Sequence, residues 1–525
     1  MKKIILSLFL IFFLKVVQAQ NVTILPSGIT PVQASHLKLT YDQIQAKTDM
    51  AIGDLVFDLT FYCVRIYNGH EWVRILNAQS TEGDVTAFGC NAQFTTIIGV
   101  AHDSQNNIYI AGLFRASIIL SPTVTLTGGA EYESLFIAKY NTSGTLLSYT
   151  KEQATNVSVI PTDLHIDSND NVYVSGSYYG TVAFGGIYNY TPLGDNDAFI
   201  AKYNTSLAIQ WVKSEGGTGP DIAQKVVTDA SGNVFVAGTY QSTINFNGGA
   251  IQKTSNGWSD IFVAKYTSAG LITWVNSVGG VNYDYLKDIY HNGSNALYIA
   301  GTYYDATTIG TENYTSNGMA DLFMAKFDIN GVYQSSFSVG GTEEDGVFLS
   351  IVKDSQGTLF LAGDFQGTIT VNGSDYVSKG SVDIFLATIL DQIGPSMNAR
   401  QINWMLSIDS DSFNTFGGTN VEYVTDAISD ANGNIYLTGY TNVNLSIEGY
   451  SIAEPYGTFV WRRNTENLTT ALFSFPSALD SRITKDNLGN VFISSVTTSP
   501  VTIGGAYINT PSATMSAILA RMRLN

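Results

Sequence analysis

The sequence predicts an all-β protein, a β-propeller of four-stranded antiparallel blades, on three observations. One turn-and-strand phrase recurs along the chain, a second strand phrase follows each copy by about twenty residues, and strand-forming residues abound where charge is scarce. Only 13% of the 525 residues are charged, whereas 45% are hydrophobic and 12% aromatic, with 49 Gly and 11 Pro. That balance excludes a long coiled coil, which needs more Glu, Lys and Arg, and a disordered chain, which lacks such apolar content. With 44 acidic against 26 basic residues and a net charge of −18, it also excludes a nucleic-acid binder with a basic face.

The first phrase reads DSQNNIYIAG from Asp103, DSNDNVYVSG from Asp167, DASGNVFVAG from Asp229, DSQGTLFLAG from Asp354, DANGNIYLTG from Asp430 and DNLGNVFISS from Asp486. A divergent copy ends at Gly301. The second phrase is SLFIAKY ending at Tyr140, DAFIAKY at Tyr203, DIFVAKY at Tyr266, DLFMAKF at Phe327 and DIFLATI at Ile389, with weaker versions ending at Arg463 and Arg523. In the third copy, residues 222–228 give a first strand and 229–233 a turn. There Asp229 caps the turn and Gly232 permits a positive φ. Residues 234–237, 261–266 and 271–275 give three more strands, short and rich in β-branched and aromatic residues. Each copy exposes apolar faces that only its neighbours can bury, so the copies must stack. The recurring Ala-Gly pair is expected where adjacent sheets approach closely.

This cycle resembles the bacterial-type β-propeller repeat family labelled SBBP, over about residues 97–525. The resemblance implies a propeller in an exported or surface protein, usually without a defined activity, and it supplies no catalytic residues. The sixth and seventh copies depart from the pattern.

Seven blades are favoured, with an N-terminal strand completing the last copy, which stops after its third strand. The segment at about 57–76, containing Trp72, is the expected closing piece within a single propeller domain spanning 41–525. An eighth, degenerate blade from residues 40–76 is the alternative. Residues 20–40 read as a lead. Before them, Lys2 and Lys3, an apolar run and Val17-Gln18-Ala19 read as a signal peptide over 1–19, cleaved after Ala19. The run is short of the roughly 20 residues a spanning helix needs, so no membrane span is expected after cleavage. Export favours a disulfide between Cys63 and Cys90 over two buried thiols. Among the Asn-x-Ser/Thr sequons, Asn141, Asn204, Asn292 and Asn372 are candidate glycosylation sites.

Four acids follow the Gly-Gly pairs: Asp221, Asp284, Asp345 and Glu422. A propeller would gather them near one mouth of its channel, where they could hold a cation or a basic partner, or instead accept backbone N–H bonds in their own loops. The Asp turns lack the Gly and Glu that complete a calcium loop, so a turn role is expected for them and no cofactor beyond a structural cation at the acids. The links between second and third strands carry Tyr179, Tyr190, Tyr240, Trp258, Tyr304 and Tyr314, which suit either a recognition face or packing between blades. The scattered His residues show no metal-ligand spacing, and no catalytic motif is visible. The leading expectation is a secreted or cell-surface noncatalytic module binding an extracellular protein or glycan. The alternatives are a glycoside hydrolase or lyase using the mouth acids, and a purely structural surface component.

Overall fold

The structure is a computed structural model. It describes residues 94–152, 158–371, 374–378, 380–389, 422–442, 457–465, 469–476, 478–497 and 516–523, with shorter strand segments elsewhere. The expected signal peptide, the side chains of Cys63 and Cys90, and Asn372 lie outside the described residues. Among the described residues, the named elements are strands apart from one 3-10 turn at Asn247–Gly249.

The fold is an all-β propeller. The third repeat shows the unit: Asp221–Thr228, Val234–Tyr240, Asp260–Tyr266 and Ile272–Gly280 pair antiparallel in chain order. The repeats that begin with Phe94–His102, Val159–Ile166, Asp284–His291, Leu349–Lys353 and Glu422–Ser429 pair in the same order. First strands of successive repeats lie side by side, so Asp221–Thr228 sits between Val159–Ile166 and Asp284–His291. Apolar side chains from adjacent repeats interleave there; Ile98, Ala111 and Ile137 of one pack with Leu164, Val174 and Phe199 of the next.

Five sheets stand alone with four strands each, one of them in the N-terminal segment and four in the repeats, fewer than the seven favoured from the repeats. The other repeats run into a six-stranded and an eight-stranded path. The cause is the link between second and third strands, which folds as a hairpin and extends the ladder across to the preceding repeat. Gly216 and Gly217 pair with Asn245 and Ile244, and Gly279 and Gly280 with Thr308 and Thr307.

The expected closing segment is corrected. Trp72–Arg74 pairs with Cys63–Tyr67, in a sheet with Leu55–Asp58 and Leu37–Leu39. That sheet belongs to a separate compact unit, Met1–Gly83, so the larger unit is Asp84–Leu524 and not 41–525. The N-terminal strand that joins the last repeat is Thr86–Gly89, antiparallel to Ser516–Arg523 beyond Ala478–Lys485 and Asn490–Thr497.

Two repeated features have a direct physical cause. At every Asp turn one carboxylate oxygen accepts two backbone N–H bonds, as Asp229 does from Ser231 and Asn233 at 2.9 Å each. Gly232 there has φ 75°, and Asn106 and Asp170 adopt the same left-handed region where a repeat lacks the Gly. The glycine closing the first phrase makes room within its own blade, not between blades. A Cβ on Gly238 would meet the Ile222 carbonyl oxygen at 1.9 Å, at the bulge of the first strand.

Candidate functional site

The four Gly-Gly acids are buried, and three of them are bound by their own loops. The Gly217 N–H donates to Asp221 Oδ2 at 2.7 Å, Gly280 N–H to Asp284 at 2.8 Å and Gly341 N–H to Asp345 at 2.7 Å. Glu422 faces Thr441, whose hydroxyl lies 3.5 Å from Oε1. Burial pushes Asp221 and Glu422 up to about 8 and Asp284 and Asp345 up to about 7, with the N–H donors opposing. A second acid at the start of each third strand, such as Asp197 beside Asp221 or Asp260 beside Asp284, adds to the rise. These groups are sealed from solvent, with relative exposures of 0% for the three Asp and 1% for Glu422. Of the two readings of these acids, acceptance of backbone N–H bonds in their own loops is the one that Asp221, Asp284 and Asp345 adopt. Among the described residues no group of three or more His, Cys, Asp or Glu side chains is placed to hold a metal ion.

Of the six link aromatics, three pack. Tyr240 is fully buried, its hydroxyl 2.6 Å from Ser277 Oγ. Tyr190 lies against the core and donates to the Val212 carbonyl at 2.9 Å, and Tyr314 is 2.9 Å from Ser336 Oγ. The apolar side of each hairpin is what covers the blade interface, which is why these rings turn inward. Tyr179 is exposed and stands apart from the ring contacts described below.

Trp258 and Tyr304 come together with two rings that sequence reasoning did not single out. Trp258 stacks on Tyr283 at 5.8 Å between centroids and 18° between planes, and Tyr283 on Tyr285 at 5.9 Å and 7°. Tyr304 meets Tyr285 edge-on at 6.5 Å. The backbone fixes this staircase: Ser259 bridges Tyr283, and Tyr304 N–H donates to the Tyr283 carbonyl at 3.0 Å. Trp258 is 64% exposed. Tyr304 donates its hydroxyl to Glu344 at 2.7 Å, and Lys287 Nζ lies 5.8 Å over the Tyr285 ring. Burial lowers Lys287, with Asp364 and Glu344 opposing. Phe348 and Tyr423 pack edge-to-face at 5.4 Å in the following two repeats, Tyr423 within the field of Glu344. The cluster lies where first strands begin, the end at which the Gly-Gly loops enter. The signal in sequence was the aromatic pair Tyr283 and Tyr285 flanking Asp284, which the search along the links passed over.

A second charged cluster was also missed. In five repeats the first strand bulges just before the position four residues ahead of the turn Asp or Asn, and that position holds Asp163, Lys225, Asp288, Asp426 and Arg482. Lys225 Nζ is 3.8 Å from both Asp163 and Asp288. Each acid's other oxygen ties down the next repeat, accepting from the N–H of Val226, Ile351 and Ile483 at 2.9, 2.7 and 2.9 Å. Burial works against the charge on Lys225, but Asp163 and Asp288 outweigh it and hold the amine above its ordinary range. Asp426 and Arg482, three and four repeats away, also act on it.

The candidate glycosylation residues Asn141, Asn204 and Asn292 sit on turns, where each amide oxygen accepts turn N–H bonds. Among the described residues no helix is long and apolar enough to cross a membrane.

No known family profile matches the chain. A WD repeat-containing protein of Acanthamoeba polyphaga mimivirus is 24% identical over an alignment covering 46% of this chain and 22% of that protein, so the match spans about a fifth of the relative's length. Solved structures that align with the chain include a virginiamycin B lyase from Staphylococcus aureus, 11% identical, covering 83% of this chain and 99% of the other at TM-score 0.37. A protein from Dyadobacter fermentans is 10% identical, with 84% and 99% coverage at TM-score 0.38. The β-propeller domain of the trilobed protease from Pyrococcus furiosus is 8% identical, with 73% and 93% coverage at TM-score 0.33. The propeller assignment rests on the strand pairings of the chain itself.

Proposed function

We propose that the chain is an exported, noncatalytic β-propeller interaction module, akin to the SBBP repeats it resembles, that docks its partner on the Trp258 mouth without a cofactor. The carrying observation is the Trp258–Tyr283–Tyr285 staircase, whose outer ring Trp258 is exposed while Tyr283 and Tyr285 are half-buried behind it. Large aromatic surface left in water is costly unless a partner covers it, and rings of this type anchor interfaces. The WD-repeat relative agrees with an interaction role. In this reading the propeller has seven blades and Thr86–Gly89 closes the ring. Support comes from the pairing of that strand with Ser516–Arg523, and from contacts between the first and last repeats such as His102 Nδ1 to Thr484 Oγ1 at 3.2 Å. The influence of Asp426 and Arg482 on Lys225 is what side chains meeting around one axis would give.

The test is a binding panel of extracellular proteins and glycans against the full chain and its Trp258→Ala and Tyr283→Ala variants. A partner lost in both variants, with melting temperature unchanged, supports the reading. Polysaccharide cleavage abolished by Glu422→Gln or Asp345→Asn would overturn the noncatalytic part. Export predicts a secreted product beginning at Gln20.

A further inference from the structure

We infer that the partner of the mouth is a protein segment bearing an exposed arginine or lysine, whose cationic head sits on the outer face of Trp258 within an acidic rim that includes Glu344. This rests on the proposed role of the mouth. Three observations carry it.

The first is that the site already uses the interaction internally. Lys287 Nζ stands 5.8 Å over Tyr285, the last ring of the staircase. Further along the chain Lys139, Lys202, Lys265 and Lys326 lie 4.9 to 5.6 Å over Tyr109, Tyr173, Phe235 and Tyr298. The negative face of an aromatic ring attracts a cation, most strongly for Trp. Trp258, the ring best suited to a cation, is also the most exposed of the staircase, and no lysine is seated on it among the described residues.

The second is the local charge. Glu343 and Asp305 are exposed on the segments that flank the rings, and Glu344 is half-buried with one oxygen taken by Tyr304. Asp305 is held toward the stack by Asn282, whose amide donates to it at 2.6 Å. Three carboxylates against the single Lys287 leave an acidic rim. With a net charge of −18 on the whole chain, an approaching cation is steered in and an anionic partner repelled.

The third is shape. The rings form a stepped surface between the Trp258 loop and the Tyr304 strand end, fixed by backbone bonds and so organised before binding. A flat guanidinium can stack on the outer face of such a step, which an ammonium does less completely, while Glu344, bonded to Tyr304 at the other end of the row, adds to the acidic field.

The experiment measures binding to the full chain by titration calorimetry with four probes of equal length: an Arg-Gly peptide, a Lys-Gly peptide, a Glu-Gly peptide and a neutral β-glucan oligosaccharide. The expected order is Arg above Lys, with the Glu peptide and the glucan inert. Trp258→Ala should weaken the Arg peptide roughly tenfold, as for a partly desolvated cation–π contact. Glu344→Gln keeps an acceptor for Tyr304 and should weaken it several-fold while flattening its salt dependence. Equal binding of the Arg and Glu peptides would overturn the inference. Trp258-dependent binding of the glucan with no peptide binding would overturn it too, but would leave the mouth as the docking site with a glycan partner. If no probe binds in a Trp258-dependent way, both the inference and the mouth reading fail. Unaltered melting temperatures in both variants guard against misfolding as the cause.

Discussion

Replacing Lys225 with Met tests whether the charges at the first-strand bulges are a structural requirement. The change keeps the length and apolar stem of the side chain but leaves Asp163 and Asp288 without their ammonium partner, and Asp426 with Arg482 alone. Each 3.8 Å contact between Lys225 and Asp163 or Asp288 is worth about 4 kcal/mol at an effective dielectric of about 20. Lifting the desolvation cost of the ammonium returns part of this, and breaking a buried pair by removing one partner costs about 3–5 kcal/mol in general. Lys225 keeps some solvent contact, its side chain being 26% exposed, so the low end of that range, about 3 kcal/mol, is expected. The unit Asp84–Leu524 has roughly 440 residues, and at about 2.1 cal/mol/K per residue the loss becomes a fall of about 3 °C in melting temperature. Differential scanning calorimetry reads it directly. The sign with pH is the sharper part. Asp288 is held at about 6 by burial, and Asp426 is also raised. Without Lys225 both rise further, so below about pH 5 Asp288 is neutral, the repulsion is relieved and the loss shrinks. Adding Asp288→Asn, which still accepts the Ile351 N–H, should restore part of the stability at about pH 8. An equal loss at both pH values, or a double variant less stable than Lys225→Met alone, would refute the reasoning.

Three further outcomes are expected. Ala87→Pro removes a donor from the strand that pairs with Ser516–Arg523 and should lower the melting temperature by several degrees; an unchanged value would show that this strand does not hold the last blade. Gly238→Ala places a Cβ 1.9 Å from the Ile222 carbonyl and should cost about 2 kcal/mol in urea denaturation, an overpacking penalty. The buried acids set a pH profile. Asp221, Asp284, Asp345 and Glu422 are raised to about 7 or 8, so the folded state holds protons that the unfolded state releases at about pH 4. Their contribution is full below that pH and is lost as pH rises through 7 to 8. His102, His165 and His291 are lowered by burial and act in the opposite sense around pH 6. Because four carboxyls release protons on unfolding over this range, against three imidazoles, the melting temperature should fall between about pH 5 and pH 8, and a rise over that interval would contradict the buried, protonated state.

What could be read from the sequence was whatever repeats. The Asp turn announces itself because the same carboxylate must accept the same two N–H groups each time, and Asp103, Asp167, Asp229, Asp354, Asp430 and Asp486 all do so. The strand phrases announce themselves through burial on both faces, as in Asp260–Tyr266, where every residue is buried. The Gly-Gly acids were visible as a column, yet the column could not tell exposure from burial; what decides it is the Gly217, Gly280 and Gly341 N–H groups pointing at them. The closing strand was misplaced because Thr86–Gly89 is four residues with no phrase of its own, while 57–76 carries richer strand signals that fold into a different sheet. The Trp258 staircase was half legible: two of its rings lie on links, but a tyrosine on both sides of the acid occurs only at Asp284, and a search for recurrence is blind to a combination that occurs once.

That blindness has a physical logic that points to where function resides in a repeat fold. A residue whose partners lie within its own blade can be copied without penalty, and so it recurs. A residue that meets its counterparts from other blades cannot, because identical charges brought together repel. A uniform Asp at the bulge would bring carboxylates to a place where Lys225 now lies 3.8 Å from two of them, which burial makes untenable. The column therefore has to diverge, to Gly99, Asp163, Lys225, Asp288, Ser350, Asp426 and Arg482, until its charges nearly cancel. The same reasoning applies at the mouth. An aromatic that only sealed its blade would be expected in each copy, as the buried Phe136, Phe199, Phe262, Phe323, Phe385 and Phe459 are. Trp258 and Tyr283 have aromatic counterparts only in the first repeat, at Tyr132 and Phe94, so the blade itself does not demand a ring at either position. The proposed partner would supply the constraint, and loss of binding without loss of stability in Trp258→Ala is the signature expected of it.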